Sequence, residues 1–152
     1  MERTFVAIKP DGVKRGFIGE IINRFEKKGY KIIGLKMLQP TLELAQKHYE
    51  EHVGKPFYER LIKYITSGPI VAMVLEGQNV IAGVRKLMGC TNPIDAEDGS
   101  IRATYAQTKE ENVIHGSDCV ASAEREIGIY FRPEELCENW KTMLEIILEN
   151  EK

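Results

Sequence analysis

Cysteine is scarce: residues 90, 119 and 137 are the three cysteines in 152 residues. An odd number at wide spacing supplies neither a disulfide framework nor a CxxC metal knuckle, and it fits a reducing compartment such as the cytoplasm. No apolar run approaches the ~18 residues of a membrane span. The opening Met1-Glu2-Arg3-Thr4 does not read as a signal peptide, so no membrane partner is expected. Charge of one sign is scarce too, since 21 Lys and Arg stand against 23 Asp and Glu, a formal net charge of −2. No bulk positive field exists to hold a nucleic-acid backbone, and any anionic ligand must meet a local cluster of cations. The familiar phosphate loops are missing: Gly54-Lys55 runs into Pro56, and Gly12, Gly16 and Gly19 do not make GxGxxG. Repeats, linkers and low-complexity stretches are absent as well. What is present, 43% apolar and 29% charged residues, is ordinary for a globular protein, and residues 1–152 are expected to form a single domain.

Thr4 to Ile8 is rich in strand formers and stops at a Pro10-Asp11-Gly12 turn signal. Ile18, Ile21, Ile22 and Phe25 recur at helical spacing before Gly29. Tyr30 to Leu38 reads as a second strand, Thr41 caps a helix, and Pro56 opens another bearing Phe57, Leu61 and Ile65. Ile70 to Leu75 is a continuous apolar run, expected of a buried central strand, and Asn79 caps a helix that ends at Gly89. Beyond the polar loop from Cys90 to Ser100, the pattern suggests short strands at Ile101–Gln107 and Ile129–Phe131, with helical turns between at Ser122–Ile127. Pro133 opens a C-terminal helical segment, 132–152, with Leu136, Trp140, Leu144, Ile147 and Leu148 at amphipathic spacing, suited to packing on a neighbour or on its own domain. The order points to an α+β fold, a ferredoxin-like split βαβ antiparallel sheet with helical insertions.

The strongest chemical signal is Asn112-Val113-Ile114-His115-Gly116-Ser117-Asp118. A neutral imidazole is a nucleophile or base near neutral pH, Gly116 permits close approach, and Ser117 and Asp118 supply local hydrogen bonds. Glu126 could orient the ring by accepting its other N–H. The bland alternative is a hydrogen-bonded turn histidine. Lys9 closes the first strand, while Arg85, Thr91 and Arg102 flank the polar loop; two guanidiniums and a hydroxyl there would make a fork for phosphate. Taken singly, each of these is an ordinary solvated charge. His48-Tyr49-Glu50-Glu51-His52 matches the HxxEH pattern of some zinc peptidases, but such short matches arise easily in a Glu-rich helix and a third ligand is wanting. An RNA-recognition reading of the fold lacks an RNP1-like aromatic strand.

The segment 112–118 resembles the active-site signature of nucleoside diphosphate kinases. The resemblance extends in the same order through Thr4–Val13, His48-Tyr49, Lys55–Tyr58, Ser67-Gly68-Pro69, Val84-Arg85, Thr91-Asn92-Pro93, Gly99–Arg102 and Ser122–Gly128, covering roughly residues 3–131. It implies ping-pong phosphoryl transfer in which Nδ1 of His115 takes the γ-phosphate from a nucleoside triphosphate and passes it to a nucleoside diphosphate. Arg85, Thr91 and Arg102 match phosphate-binding positions, and Lys9 and Asn112 match residues that hold the sugar hydroxyls. Tyr49 matches a residue beside the catalytic histidine, and Glu126 with Ser117 the pair that fixes its tautomer. Phe57, with Leu61 one turn on, matches the stacking surface for the base. Mg²⁺ is implied as cofactor, held mainly through nucleotide phosphates with no protein metal ligand. A homo-oligomer is also implied, hexamer favoured over tetramer, with the Thr91-Asn92-Pro93 loop meeting other subunits.

Three departures from the family pattern stand out. Ala103-Thr104 follows Arg102 where many members have Gly-Asp, Lys109 stands where a small apolar residue commonly touches the base, and Asp98 replaces a common second proline. None falls in the phosphate or nucleophile set, so they bear on base preference rather than on activity. The alternatives are a catalytically silent nucleotide-binding regulatory homologue, which would be expected to have lost one of His115, Lys9, Arg85, Arg102 or Asn112, and a phosphorelay module using His115.

Overall fold

The computed structural model describes residues 1–151. Four strands, β1 (Glu2–Ile8), β2 (Lys31–Leu38), β3 (Ile70–Gly77) and β4 (Ile114–Gly116), form one antiparallel sheet in the order β2-β3-β1-β4. That is the order of the ferredoxin-like split βαβ predicted from the sequence. Along β1, Val6 and Ile8 enter one core with Ile21, Phe25, Val84 and Met88, while Phe5 and Ala7 enter a second with Ala45, Tyr130 and Phe131. Period-two alternation with both faces covered explains why β1 and β3 read as unbroken apolar runs.

Helices α1 (Pro10–Lys14), α2 (Ile18–Lys28), α3 (Leu42–His48), α4 (Tyr58–Ile65), α5 (Val80–Met88), α6 (Ile101–Tyr105), α7 (Val120–Tyr130) and α8 (Met143–Asn150) make up the rest, with single 3₁₀ turns at Glu50–His52, Pro93–Asp95 and Pro133–Glu135. The Thr41 hydroxyl accepts the Leu44 N–H at 3.1 Å, the expected cap of α3. Asn79 precedes α5 in the left-handed region with φ 53° and makes no side-chain cap.

Several local expectations change. Ile101–Gln107 is not a strand: the Ser100 hydroxyl accepts the Ala103 N–H at 3.3 Å and starts α6. Ile129–Phe131 is not a strand either. Helix α7 runs on past Ile127 through Gly128 and carries Tyr130 inward to stack on Phe5 with ring centroids 4.5 Å apart. The fourth strand is instead Ile114–Gly116, a stretch whose Gly-Ser-Asp ending reads as a turn. Pro10 occupies the first turn of α1 rather than a simple turn. After Pro133 the chain makes one 3₁₀ turn and then runs along β2, where the Cys137 N–H donates to Ile33 at 2.7 Å and Leu136 packs with the second core. Only after Thr142 does it become helical, with Leu144, Ile147 and Leu148 exposed rather than packed on their own chain. Among the described residues no helix is long and apolar enough to cross a membrane.

Candidate active site

The site forms where β1 and β4 end side by side. The Lys9 N–H donates to the Val113 carbonyl at 2.8 Å, and the Val113 N–H donates to Asp11 Oδ2 at 3.0 Å. Val113 is fully buried with φ 75°, a conformation that a β-branched residue takes only when its surroundings impose it. Gly12 is required at the crossing: a Cβ there would meet Ile8 Cγ2 at 2.9 Å and the Val113 carbonyl at 3.1 Å. The second Asp11 oxygen accepts from the Tyr64 hydroxyl, which ties α4 to the same knot. Burial raises the Asp11 pKa, opposed by Lys9 and by backbone N–H donors.

Buried cations converge on this knot. Lys9 Nζ donates to Asn112 Oδ1 at 2.8 Å, and Asn112 Nδ2 donates to the Thr91 carbonyl at 3.1 Å. Arg102, on α6, donates to the carbonyls of Ile114 at 2.7 Å, Gly89 at 3.1 Å and Asn112 at 3.4 Å. Arg85, on α5, donates to the Gly116 carbonyl at 3.2 Å, one residue beyond His115. Among the described residues no carboxylate lies within salt-bridge distance of Lys9, Arg85 or Arg102. The electrostatic cost is visible in their proton affinities: burial, then Arg102, brings Lys9 down to about 7, with Asp11 opposing. Burial, then Arg85, lowers Arg102 to about 10. Three neighbouring cations held by neutral carbonyls and an amide are arranged for a polyanion.

His115 projects from β4 with about a quarter of its side chain exposed. Its Nε2 lies 2.6 Å from Glu126 Oε1, and the same oxygen accepts the Ser117 hydroxyl at 2.8 Å. Glu126 is buried on α7, and its second oxygen faces Arg125 at 3.7 Å. A carboxylate only accepts, so the proton belongs on Nε2 and the Nδ1 lone pair is left available. Against this ring packs His48, edge to face with centroids 4.7 Å apart. His48 Nδ1 is 2.6 Å from the Tyr130 hydroxyl, and Tyr49 stacks on its other side at 4.6 Å. Burial first, then His115, Lys9 and other cationic groups, holds the His48 pKa well below its usual value. Burial, reinforced by Glu126, pushes the Tyr49 hydroxyl up to about 12.

The remaining candidates lie apart from this network. The ring contacts of Phe57 are with His52 at 5.4 Å and the Lys55 ammonium at 5.8 Å, and its side is open to solvent. Leu61, one turn on, packs against the second core. Thr91 is exposed in the polar loop. Arg60 and Glu110, beside Leu61 and Lys109 in sequence, form an exposed ion pair at 3.1 Å. The HxxEH reading fails on geometry: α3 ends at His48, and His52 sits on the following 3₁₀ turn beside Glu51 and Lys55.

The sequence model of the family described as nucleoside diphosphate kinase matches residues 2–136. A protein of that name from Thermus thermophilus is 60% identical over 136 residues, covering 90% of this chain and 99% of its own. The chain belongs to the nucleoside diphosphate kinase family. Another bearing the name, from Desulforamulus reducens, is 58% identical over 136 residues, 90% of this chain and 91% of its own. Among solved structures, the nucleoside diphosphate kinase of Halobacterium salinarum in complex with CDP superposes with a TM-score of 0.92 at 46% identity, covering 97% of each chain. A family protein from Babesia bovis gives 0.93 at 40% identity, covering 97% of this chain and 99% of its own. The helix α8 lies beyond the residues that the nucleoside diphosphate kinase model matches.

Mg²⁺ is the cofactor implied by the resemblance, and the donor set of the site tests whether the protein itself could hold it. Mg²⁺ demands oxygen ligands in octahedral array. Among the described residues the one cluster of potential ligands is His48, His115 and Glu126, two imidazoles and one carboxylate. Two imidazoles and one carboxylate do not fit a resident Mg²⁺.

Four supporting residues were not picked out in the sequence. Asp11 and Val113 stand inside recognised segments, but their pairing depends on the β1–β4 crossing. Tyr64 lies within the helix expected after Pro56 and Tyr130 within the strand expected at Ile129–Phe131, and their hydroxyl partners emerge only from the packing.

Proposed function

We propose that this chain transfers the terminal phosphate of a nucleoside triphosphate to a nucleoside diphosphate by a ping-pong mechanism, through a phosphohistidine on His115. The observation that carries this reading is the 2.6 Å contact from His115 Nε2 to the buried Glu126 carboxylate beside Arg85, Arg102 and Lys9. Nδ1 attacks the γ-phosphorus of the Mg²⁺-nucleotide. The Nδ1–P bond forms as the bond to the β-bridging oxygen breaks, and the diphosphate leaves with that electron pair. A second diphosphate then attacks the phosphohistidine in the reverse sense. Phosphoryl transfer passes through a loose transition state, so positioning and charge stabilisation supply most of the rate. Arg85, Arg102 and Thr91 hold the phosphates, and Lys9 with Asn112 holds the sugar hydroxyls. Glu126 and Ser117 keep the imidazole proton on Nε2, and Tyr49 fixes the wall behind the ring.

Phe57 and Leu61 take the base by stacking, which every base permits, so purine and pyrimidine nucleotides are both accepted. The chain works in the cytoplasm, to which three free exposed thiols are suited. It assembles as a homo-oligomer, a hexamer before a tetramer; Ile94, 87% exposed in the polar loop, supports a subunit contact there. The mechanism is tested by varying both substrates at steady state. Parallel double-reciprocal lines are expected, and intersecting lines would mean direct transfer without a phosphoenzyme.

A further inference from the structure

His48 is nine-tenths buried or more, and its Nε2 has no hydrogen-bond partner in a site whose other polar groups are almost all engaged. An unpaired polar nitrogen is costly to bury, and in a small, well-ordered site it marks a position where a ligand can gain. One ligand atom from each of His48, His115 and Glu126 falls within 4.8 Å of the other two. Two imidazoles and a carboxylate with a fourth side left open is the donor set of a three-ligand zinc centre. Nitrogen donors favour Zn²⁺ and its neighbours in the first-row series and disfavour Mg²⁺, so the ion that accompanies the nucleotide would not occupy it.

The partners of these ligands suit the role. The Tyr130 hydroxyl at His48 Nδ1 can accept from Nδ1–H, which turns the Nε2 lone pair toward His115. Ser117 holds the Glu126 carboxylate in place at 2.8 Å. Tetrahedral bonds of about 2.0–2.1 Å set donors roughly 3.4 Å apart, so a pair at the 4.8 Å limit closes by about 1.4 Å while the 2.6 Å His115–Glu126 contact opens, and the partly exposed His115 side chain is the one free to move.

We propose that His48, His115 and Glu126 form an inhibitory site for a borderline divalent cation of the Zn²⁺ class, which ligates the His115 ring through Nε2 and blocks phosphorylation at Nδ1. This inference rests on the phosphohistidine reading of His115. Coordination takes the Nε2 lone pair of His115 in place of the hydrogen bond to Glu126, and the single ring proton moves from Nε2 to Nδ1, which removes the nucleophilic lone pair. The fourth position is taken by water.

The test uses the full chain with Cys90, Cys119 and Cys137 each changed to Ser, because these exposed thiols would bind Zn²⁺ themselves. One Zn²⁺ per chain should bind by calorimetry in the presence of excess Mg²⁺. At saturation it should abolish labelling of His115 by γ-labelled ATP, and a chelator should restore it. His48→Phe should weaken Zn²⁺ binding by about 10–100-fold or more, since even loss of an outer-sphere partner costs that much. X-ray absorption of the zinc-loaded protein, which needs no His48 variant to fold, should show two imidazoles in the metal's shell. Full labelling at saturating Zn²⁺, equal Zn²⁺ affinity in His48→Phe, or a shell with fewer than two imidazoles would overturn the proposal. Failure to label His115 in the absence of zinc would instead overturn the phosphohistidine reading beneath it.

Discussion

The parts of the proposed site that would hold the phosphates and the base are built on opposite principles. At the phosphate end, Lys9, Arg102, Asn112, Ser117 and Glu126 are all buried, every one of them has a hydrogen-bond partner, and a valine is forced to positive φ to hold the turn. At the base end, Phe57 is 36% exposed, and the Arg60–Glu110 pair beside it stands in solvent. One end is over-determined and electrostatically strained; the other is open to solvent, with Phe57 flanked by His52 and Lys55. A site discriminates most strongly where buried polar groups would be left unpaired by the wrong ligand. On the proposed function, the chain is therefore expected to select for polyphosphate and sugar and to tolerate different bases.

The sharpest break in that contrast comes at the nucleophile. His115→Ala should abolish transfer while leaving nucleotide binding largely intact; retained turnover would move the nucleophile elsewhere. Arg102→Ala removes a preorganised donor and should lower kcat/KM by about 10²–10³-fold. An unchanged kcat/KM would put Arg102 outside the chemistry. Asp11→Ala leaves the buried Val113 N–H without its acceptor. Denaturant titration should show a loss of about 1–3 kcal/mol, whereas an unchanged midpoint would mean that the positive-φ turn needs no such anchor.

A subtler effect concerns the strain itself. The Lys9 pKa is lowered on folding from 10.5 to about 7, so the unfolded chain binds more protons between those values. Stability therefore rises with pH across that window, and below about 7 the full cost of the buried charge is present. Lys9→Met should melt higher than wild type at pH 6, with the advantage shrinking toward pH 10. A constant difference across that range would contradict the lowered value. The smallest effect is expected at the base end, where Lys109→Val should shift the relative efficiencies of GDP, CDP and UDP only a few-fold, because an exposed side chain with no buried partner discriminates little; identical relative efficiencies would show that Lys109 has no part in base preference. A large shift in base preference would show that the base end is read after all.

How much of this was legible beforehand differs between the same two ends. The nucleophile segment and its cations stood out because Asn112–Asp118 and Lys9 are contiguous with strand and turn signals. The fold class followed from apolar runs at Thr4–Ile8 and Ile70–Leu75, where burial on both faces leaves no ambiguity. Local propensity misled where tertiary contacts decide. Ile129-Tyr130-Phe131 looks like a strand, but Tyr130 is pulled into helix α7 by its packing on Phe5 and His48. Ile114–Gly116 looks like a turn, but it pairs with β1 for only three residues, too few to leave a periodic signature. The His48–Tyr130 and Asp11–Tyr64 contacts join residues 82 and 53 apart, and no local pattern announces such pairs.

The most direct test of the central claim is to incubate the purified chain with γ-labelled ATP and Mg²⁺ without acceptor, then discharge it with GDP, CDP, UDP and dTDP in turn. The account predicts an acid-labile, base-stable label on His115 that all four diphosphates remove at comparable rates. No label on a folded chain that still binds ADP would contradict the phosphohistidine and leave a silent nucleotide-binding homologue. A label that only one base removes would contradict the division between a discriminating phosphate end and a permissive base end.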